Sequence, residues 1–206
     1  MKVLLINGSP HASGCTHRAL KEVESVLHTY DIETEIIQVG QMCIRGCIAC
    51  GKCRELKKCV FDDEVNIVAK KLEHSDGLVI GSPVYYSSPN GTLISFLDRL
   101  FYSSALIDKR MKVGASIVSA RRAGTTASFD VLNKYFTISS MPIVSSQYWN
   151  NIHGNMESEA NLDLEGLQTM RTLGHNMAFL IKSIQLGKET FGLSEKEKKI
   201  MTNYIR

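Results

Sequence analysis

The sequence lacks the features that mark membrane, secreted and nucleic-acid-binding proteins. No apolar run approaches the roughly 20 residues of a membrane span, and the apolar start KVLLI is too short for the core of a signal peptide. The net charge is only +3 over 206 residues, which gives no reason to expect contacts with nucleic acid or an anionic membrane surface. We therefore expect a cytoplasmic protein with neither a nucleic-acid nor a membrane partner.

Two common nucleotide-binding motifs are also missing. There is no Gly-x-Gly-x-x-Gly, and no acidic residue ends the second predicted strand, so the dinucleotide fingerprint is absent. No Gly-Lys is followed by Ser or Thr, which argues against a nucleotide-hydrolysing P-loop. No repeat, low-complexity tract or Pro/Gly/Ser-rich linker divides the chain, and we expect residues 1–206 to form a single domain.

Strand and helix patterns alternate along the chain. Short apolar runs predict strands, and apolar residues at three-to-four spacing predict the helices between them. We expect C-terminal helices from about residue 160, a long one carrying Leu167 to Ile184 and a capped one beginning at Ser194. The strands are predicted at 2–6, 33–39, 77–83, 112–119 and 141–149. This alternation predicts an α/β fold with a parallel sheet and helices on both faces.

Three segments that follow predicted strands combine into one candidate site. In open parallel sheets a ligand binds beyond the carboxyl ends of the strands. NGSPHASGCTH (7–17) offers backbone N–H groups and small hydroxyls at a helix N-terminus, as a phosphate site requires. SPVYYSSPNG (82–91) adds two tyrosines, and SARRAGTT (119–126) adds paired arginines. Together they predict a site for a phosphorylated planar cofactor, although each segment alone also fits an ordinary turn.

GSPHASGCTH, GSPVYYSSPNGTLISFLDRLF and CIACGKCRELKKCVFDD together resemble the flavodoxin-like NAD(P)H-dependent FMN reductases, and within them the iron–sulfur flavoproteins. The resemblance covers most of residues 1–150. It implies a flavodoxin-like three-layer sandwich with a five-stranded parallel sheet of order 2-1-3-4-5 and a cysteine-rich insertion at 43–62.

The resemblance also implies roles for individual residues. The first loop would bind the FMN phosphate, the second would pack along the isoalloxazine, and the third would flank the ring on its other side. The cofactor-binding residues would be Ser9, Pro10, His11, Ser13, Cys15, Thr16 and His17, then Pro83, Val84, Tyr85 and Tyr86, then Ser119, Ala120, Arg121, Arg122 and Gly124. Where the family often has arginine and asparagine, this chain has His11 and Cys15.

Five of the six cysteines lie within residues 43–59. Cys47, Cys50, Cys53 and Cys59 follow C-x2-C-x2-C-x5-C, and three cysteines at three-residue steps favour a [4Fe–4S] cluster. Two other readings stay open. Structural zinc usually takes more widely separated pairs of ligands, and reduced thiols without a metal also fit. We expect Cys43 to be a packed thiol without a ligand role.

The chain is thus predicted to be an enzyme, an FMN-dependent NAD(P)H oxidoreductase. It would pass electrons from NAD(P)H through FMN, and through the cluster if one is bound, to a small-molecule or protein acceptor. Hydride transfer needs no general base, so we assign no catalytic side chain. An FMN-binding electron carrier or redox sensor without turnover, and a zinc-stabilised protein for another phosphate ester, are the alternatives. The resemblance also implies a homodimer or homotetramer.

Overall fold

A parallel sheet forms the middle layer of this computed structural model, which describes residues 1–198, 200–202 and 204. Its parallel strands lie in the order β2-β1-β3-β5-β6, and the short β4 pairs antiparallel with the end of β3. The elements are β1 (Lys2–Asn7), α1 (Cys15–His28), β2 (Glu33–Gln38), α2 (Cys53–Leu56), α3 (Glu64–Glu73), β3 (Gly77–Tyr85), β4 (Ser88–Pro89), α4 (Gly91–Ser103), β5 (Val113–Ala120), α5 (Thr125–Thr137), β6 (Asn151–His153), α6 (Glu157–Ala160) and α7 (Leu164–Phe191). When β4 is left out and the five parallel strands are renumbered along the chain, their order is 2-1-3-4-5, as predicted.

Two hydrophobic cores lie on opposite faces of the sheet. Successive side chains of a strand point to opposite faces, so Val3 and Leu5 of β1 pack beneath α1 and α7, whereas Leu4 and Ile6 pack beneath α3, α4 and α5. All four side chains are fully buried. The continuous apolar run of β1 therefore reflects a strand covered on both faces, and the predicted three layers are confirmed.

The fifth parallel strand differs from its prediction at 141–149. Ile143 makes one isolated bridge to Gly114, and β6 pairs with β5 only from Asn151, opposite Val118. Between these two pairs, three residues of β5 face seven of the other segment, which therefore bulges. The bulge is folded by its own side chains, because the Ser146 hydroxyl donates to the Tyr148 carbonyl (2.6 Å). Other polar residues of the bulge bond to neighbouring elements and do not extend the strand: Asn150 donates to the Ser116 carbonyl of β5 (2.9 Å), and Gln147 donates to the Gln168 side chain of α7 (3.0 Å).

The C-terminal end also departs from the sequence-based expectation. α7 runs to Phe191, but the predicted helix beginning at Ser194 does not form over residues 193–198. These residues are exposed and mostly charged, so they have no apolar stripe to bury against the sheet. No helix in the described part of the chain combines the length and the apolar character needed to cross a membrane.

Candidate cofactor site and cysteine pocket

The first loop leads into an uncapped helix N-terminus. Gly14 is the extended N-cap of α1; it provides no side-chain cap, and no acidic residue lies in the first turn. The N–H groups of Cys15, Thr16 and His17 cannot bond within the helix, because the first turn has no preceding carbonyls. This end of α1 therefore presents donors and the positive pole of the helix dipole, which suits an anion.

Two buried or half-buried amides outside the predicted site shape this loop. Asn7 accepts from the Ser9 N–H (3.1 Å), and its amide donates to the Gln38 side chain (2.6 Å). Gln38 in turn donates to the Ser9 carbonyl (2.5 Å), and the Ser9 hydroxyl oxygen accepts from the His11 N–H (3.1 Å). Ser9 is buried and Pro10 half-buried, while His11 and Ser13 are exposed. The loop is thus held from β1 and β2, which its sequence alone did not indicate.

Thr16 and Ser119 are joined to each other. Their hydroxyl oxygens lie 2.7 Å apart and are buried, so the N-terminus of α1 is tied to the end of β5. His17 is half-buried, and its Nδ1 is shielded from solvent and has no hydrogen-bond partner. An orphaned buried nitrogen one turn into this helix fits a polar ligand that would supply its missing bond. The first loop therefore fits the FMN phosphate.

Cys15 is a packed thiol in the same helix turn. Its Sγ donates to the Met156 carbonyl (3.3 Å), and the side chain is 8% exposed. Burial raises the pKa of the Cys15 thiol, and the nearby carboxylates of Glu159 and Glu157 add to this effect. A thiol held in its neutral form is a poor nucleophile, so Cys15 is built for packing and not for thiol chemistry.

The second predicted loop is a β-hairpin. β3 continues to Tyr85, and Tyr86 and Ser87 turn the chain back into β4 with φ angles of 50° and 60°. Two successive positive φ angles are typical of a type I′ turn, which normally contains glycine or asparagine. Pro83 and Val84 are half-buried, Tyr85 is 44% exposed and Tyr86 is fully exposed. The turn thus holds an aromatic ring in solvent at the cost of backbone strain.

Gly124 joins this hairpin to the third loop. It is the left-handed N-cap of α5 (φ 93°), and a Cβ there would lie 2.8 Å from Val84 Cγ1 and 2.9 Å from Ser87 Cα. Ala120 is buried at the end of β5, and Arg121 and Arg122 are exposed beside it. The structure therefore brings the three predicted segments together at the carboxyl edge of the sheet, with the third in contact with each of the other two.

The cysteine segment forms a pocket of its own. The sulfur-bearing residues Cys47, Cys50, Cys53 and Cys59 all line it, together with Phe61, Arg99, Tyr102 and other side chains. Over residues 1–198, 200–202 and 204, no three His, Cys, Asp or Glu side chains are close enough to share one metal ion. The close C-x2-C-x2-C spacing of three of these cysteines fits an iron–sulfur cluster better than structural zinc, which usually takes more widely separated ligand pairs. Cys43, expected to be packed, is exposed, because the chain before Cys47 runs along the surface.

Sequence reasoning missed a buried arginine behind this pocket. Arg99 of α4 is 1% exposed and contacts both oxygens of Asp63 (Nη1 at 2.7 Å, Nη2 at 2.9 Å) and the Cys59 Sγ. The Asp63 carboxylate also caps α3 by accepting from the Val65 N–H (3.2 Å). From the sequence alone, an arginine in an amphipathic helix is interpreted as a solvent-exposed charge. Its burial and its contacts are visible only in the folded structure.

The fold and the first loop define a flavodoxin-like protein. An archaeal flavodoxin (TM-score 0.60, 14% identity, 88% of this chain and 99% of that one) and the NAD(P)H:quinone oxidoreductase of Methanothermobacter marburgensis (TM-score 0.65, 15% identity, 86% and 98%) share the fold. The family model for NADPH-dependent FMN reductase matches residues 1–155, and the chain belongs to this family. It is therefore a flavin-binding, NAD(P)H-dependent oxidoreductase.

A curated relative places the chain within one branch of the family. It is 31% identical over 192 residues to an iron–sulfur flavoprotein of Methanocaldococcus jannaschii, covering 90% of this chain and all of the relative. The predicted resemblance to the iron–sulfur flavoprotein branch is thus confirmed at the level of sequence.

Proposed function

We propose that this protein is an FMN-dependent NAD(P)H oxidoreductase that holds a [4Fe–4S] cluster and delivers electrons to a small-molecule or protein acceptor in the cytoplasm. When bound, FMN accepts hydride from a nicotinamide, and the cluster accepts single electrons. The observation that carries the cluster is the pocket lined by four thiols in the spacing C-x2-C-x2-C-x5-C.

The protein's own residues would bind and orient the cofactors. The N–H groups of Cys15, Thr16 and His17 would hold the FMN phosphate, because they are free donors at the positive end of α1. Tyr85 and Tyr86 would pack beside the flavin ring or the acceptor, since their rings extend from the hairpin into solvent.

The basic character of the cysteine segment supports an anionic cluster. Residues 43–60 carry five cations and one carboxylate. The cations Arg45, Lys52, Arg54, Lys57 and Lys58 are exposed, and the one carboxylate, Glu55, lies 3.7 Å from Lys52 Nζ. A cluster ligated by four thiolates is negatively charged, and nearby cations stabilise it.

Single cysteine replacements test the cluster. In protein purified without oxygen we expect about four irons and four acid-labile sulfides per chain, with a broad absorption shoulder beside the flavin bands. C47S, C50S, C53S and C59S should each lose most of the iron, because each removes one ligand. The matched control C43S should keep it. Flavin without iron in the wild type, or equal iron in all variants, would contradict the cluster.

Turnover tests the reaction separately. We expect anaerobic oxidation of NADPH or NADH to require FMN and an added quinone or nitro compound. The C59S variant reports whether the acceptor is reduced from the flavin alone, since it keeps the residues of the FMN loops. If the protein binds FMN but shows no turnover with any common acceptor, the enzyme proposal is refuted and the protein is an electron carrier.

We also propose a homodimer or homotetramer. α7 exposes Phe179 (71%) and Leu186 (65%), seven residues apart and so on one side of the helix. Size-exclusion chromatography with light scattering should give a multiple of 22.9 kDa, and F179E/L186E should shift it toward the monomer. K70E, a charge change at an exposed position of α3 on the opposite face of the sheet, is the control. A monomeric wild type at micromolar concentration would contradict this assembly.

A further inference from the structure

The Arg99 guanidinium uses two different edges. Its Nε and Nη2 point to the Cys59 Sγ at 3.3 and 3.2 Å, and its Nη1 and Nη2 point to the two carboxylate oxygens of Asp63 at 2.7 and 2.9 Å. One edge thus binds the carboxylate that neutralises the buried charge. The other edge is directed at a single sulfur atom.

Charge pairing alone does not require this arrangement. A buried arginine is satisfied by one bidentate carboxylate and by carbonyl groups for its remaining N–H. The remaining contact of Arg99 is a long one, Nη1 to the Arg45 carbonyl (3.4 Å), and its guanidinium carbon lies 4.9 Å from the centre of the Phe61 ring. The Cys59 sulfur therefore accepts from the N–H groups of Arg99 that a carbonyl oxygen would otherwise bond.

The other pocket cysteines have no such donor among the described residues. Cys47 accepts only from the Ala49 backbone N–H (3.4 Å), and no cationic side chain bonds to Cys50 or Cys53. Cys59 is also the ligand farthest along the chain, separated by five residues from the last cysteine of the compact triplet. Of the four proposed ligands, Cys59 is therefore the one whose position depends most on contacts with residues outside the cysteine segment.

We propose that Arg99 positions the Cys59 sulfur as the fourth ligand of the cluster and raises the cluster's reduction potential. The proposal rests on the proposed function, because it needs the cluster. Hydrogen bonds and positive charge at a ligating sulfur favour the reduced, more negative cluster, which raises the potential. Arg99 is a positioning residue, since it acts on the cluster through Cys59.

Spectroelectrochemical titration of the reconstituted holoprotein tests the tuning. In R99Q we expect the ratio of reduced to oxidised cluster at a fixed potential to fall about tenfold, which is 59 mV for a one-electron couple. R99K should give a smaller fall, because lysine keeps the charge but not the fork. D63N should shift the ratio in the opposite direction, since it removes the balancing negative charge. R54Q, which removes an exposed arginine of the same segment, is the control for net charge and should shift the ratio little.

A purely structural clamp predicts a different pattern. It would lower iron content and thermal stability in R99Q and D63N alike, without potential shifts of opposite sign. Equal potentials in the wild type and R99Q, with iron retained in both, would overturn the tuning. So would an R54Q shift as large as that of R99Q.

Iron-free protein tests the contact without the cluster. In ¹⁵N spectra of the apoprotein, the Arg99 Nε–H should exchange slowly with solvent, and C59A should shift its resonance while C47A should not. An unshifted Arg99 resonance in C59A would overturn the positioning role. A wild type that takes up no iron would instead refute the cluster in the proposed function, and the tuning with it, while this spectrum still decides whether Arg99 holds Cys59.

Discussion

Replacing Gly124 with alanine tests how the hairpin is held beside the cofactor loops. The residue has φ 93°, where a side chain costs about 1–2 kcal/mol. The new Cβ would also lie 2.9 Å from the Ser87 Cα, a backbone atom that cannot rotate away. Overpacking of this kind costs about 1–3 kcal/mol. If the hairpin stays in place, G124A should therefore lower the free energy of unfolding by about 2–5 kcal/mol.

The hairpin can also yield. In that case the steric cost is relieved, the loss of stability falls to about 1–2 kcal/mol, and Tyr85 and Tyr86 move away from the N-terminus of α5. FMN binding then weakens, because the ring loses its packing surface. Stability and affinity are thus linked: the more the hairpin moves, the less stability and the more affinity is lost.

Urea unfolding of the FMN-free protein and a fluorescence titration with FMN measure the two quantities. G187A is the matched control, since Gly187 lies within α7 with no heavy atom within 4 Å of its added Cβ. Alanine favours a helix, so G187A should gain about 0.5–1 kcal/mol and bind FMN like the wild type. A G124A variant with unchanged stability and unchanged FMN affinity would refute the packing of the hairpin on α5.

Further substitutions probe three other parts of the fold. G40A should weaken FMN binding at least tenfold in the same titration, because the added Cβ would lie 2.2 Å from the Ser9 carbonyl carbon and displace the first loop; tight binding would refute that placement. T16V and S119A should each cost about 1–3 kcal/mol in urea unfolding by leaving a buried hydroxyl unpaired. The double variant should cost less than their sum, and strict additivity would contradict the pairing. Burial lowers the pKa of Lys109 to about 8, below its ordinary 10.5. The unfolded chain then holds more protons between these values, so stability should rise from pH 8 to 10.5 by up to about 1.4 kcal/mol per pH unit. K109M should flatten this rise, and an unchanged slope would show that another group titrates.

The sequence predicted the elements whose signal is local. β1 is a continuous apolar run, and β5 consists of apolar and small residues, because the sheet is covered on both faces. The hairpin was not predicted, since Tyr86 and Ser87 adopt positive φ angles that their residue types do not favour. The bulge before β6 was also missed, because it depends on side-chain bonds such as that of Ser146.

For the candidate site, the sequence indicated the segments but not the residues that hold them in place. Its segments were found because the carboxyl ends of parallel strands share one edge, whatever their distance along the chain. The amides that shape the first loop were not found, since Gln38 looks like any polar residue at a strand end. Arg99 was missed because its partners Cys59 and Asp63 lie 40 and 36 residues away.

Arg99 contacts the cysteine segment at both ends, at the Arg45 carbonyl and at the Cys59 sulfur. The chain between these two residues is therefore a closed ring attached to α4. The entropy of closing such a ring grows only with the logarithm of its length, by about 0.6 kcal/mol for each doubling. The stability of the sheet therefore depends only weakly on the number of residues in the ring. The cysteine segment could therefore be lengthened, shortened or exchanged with little effect on the stability of the sheet.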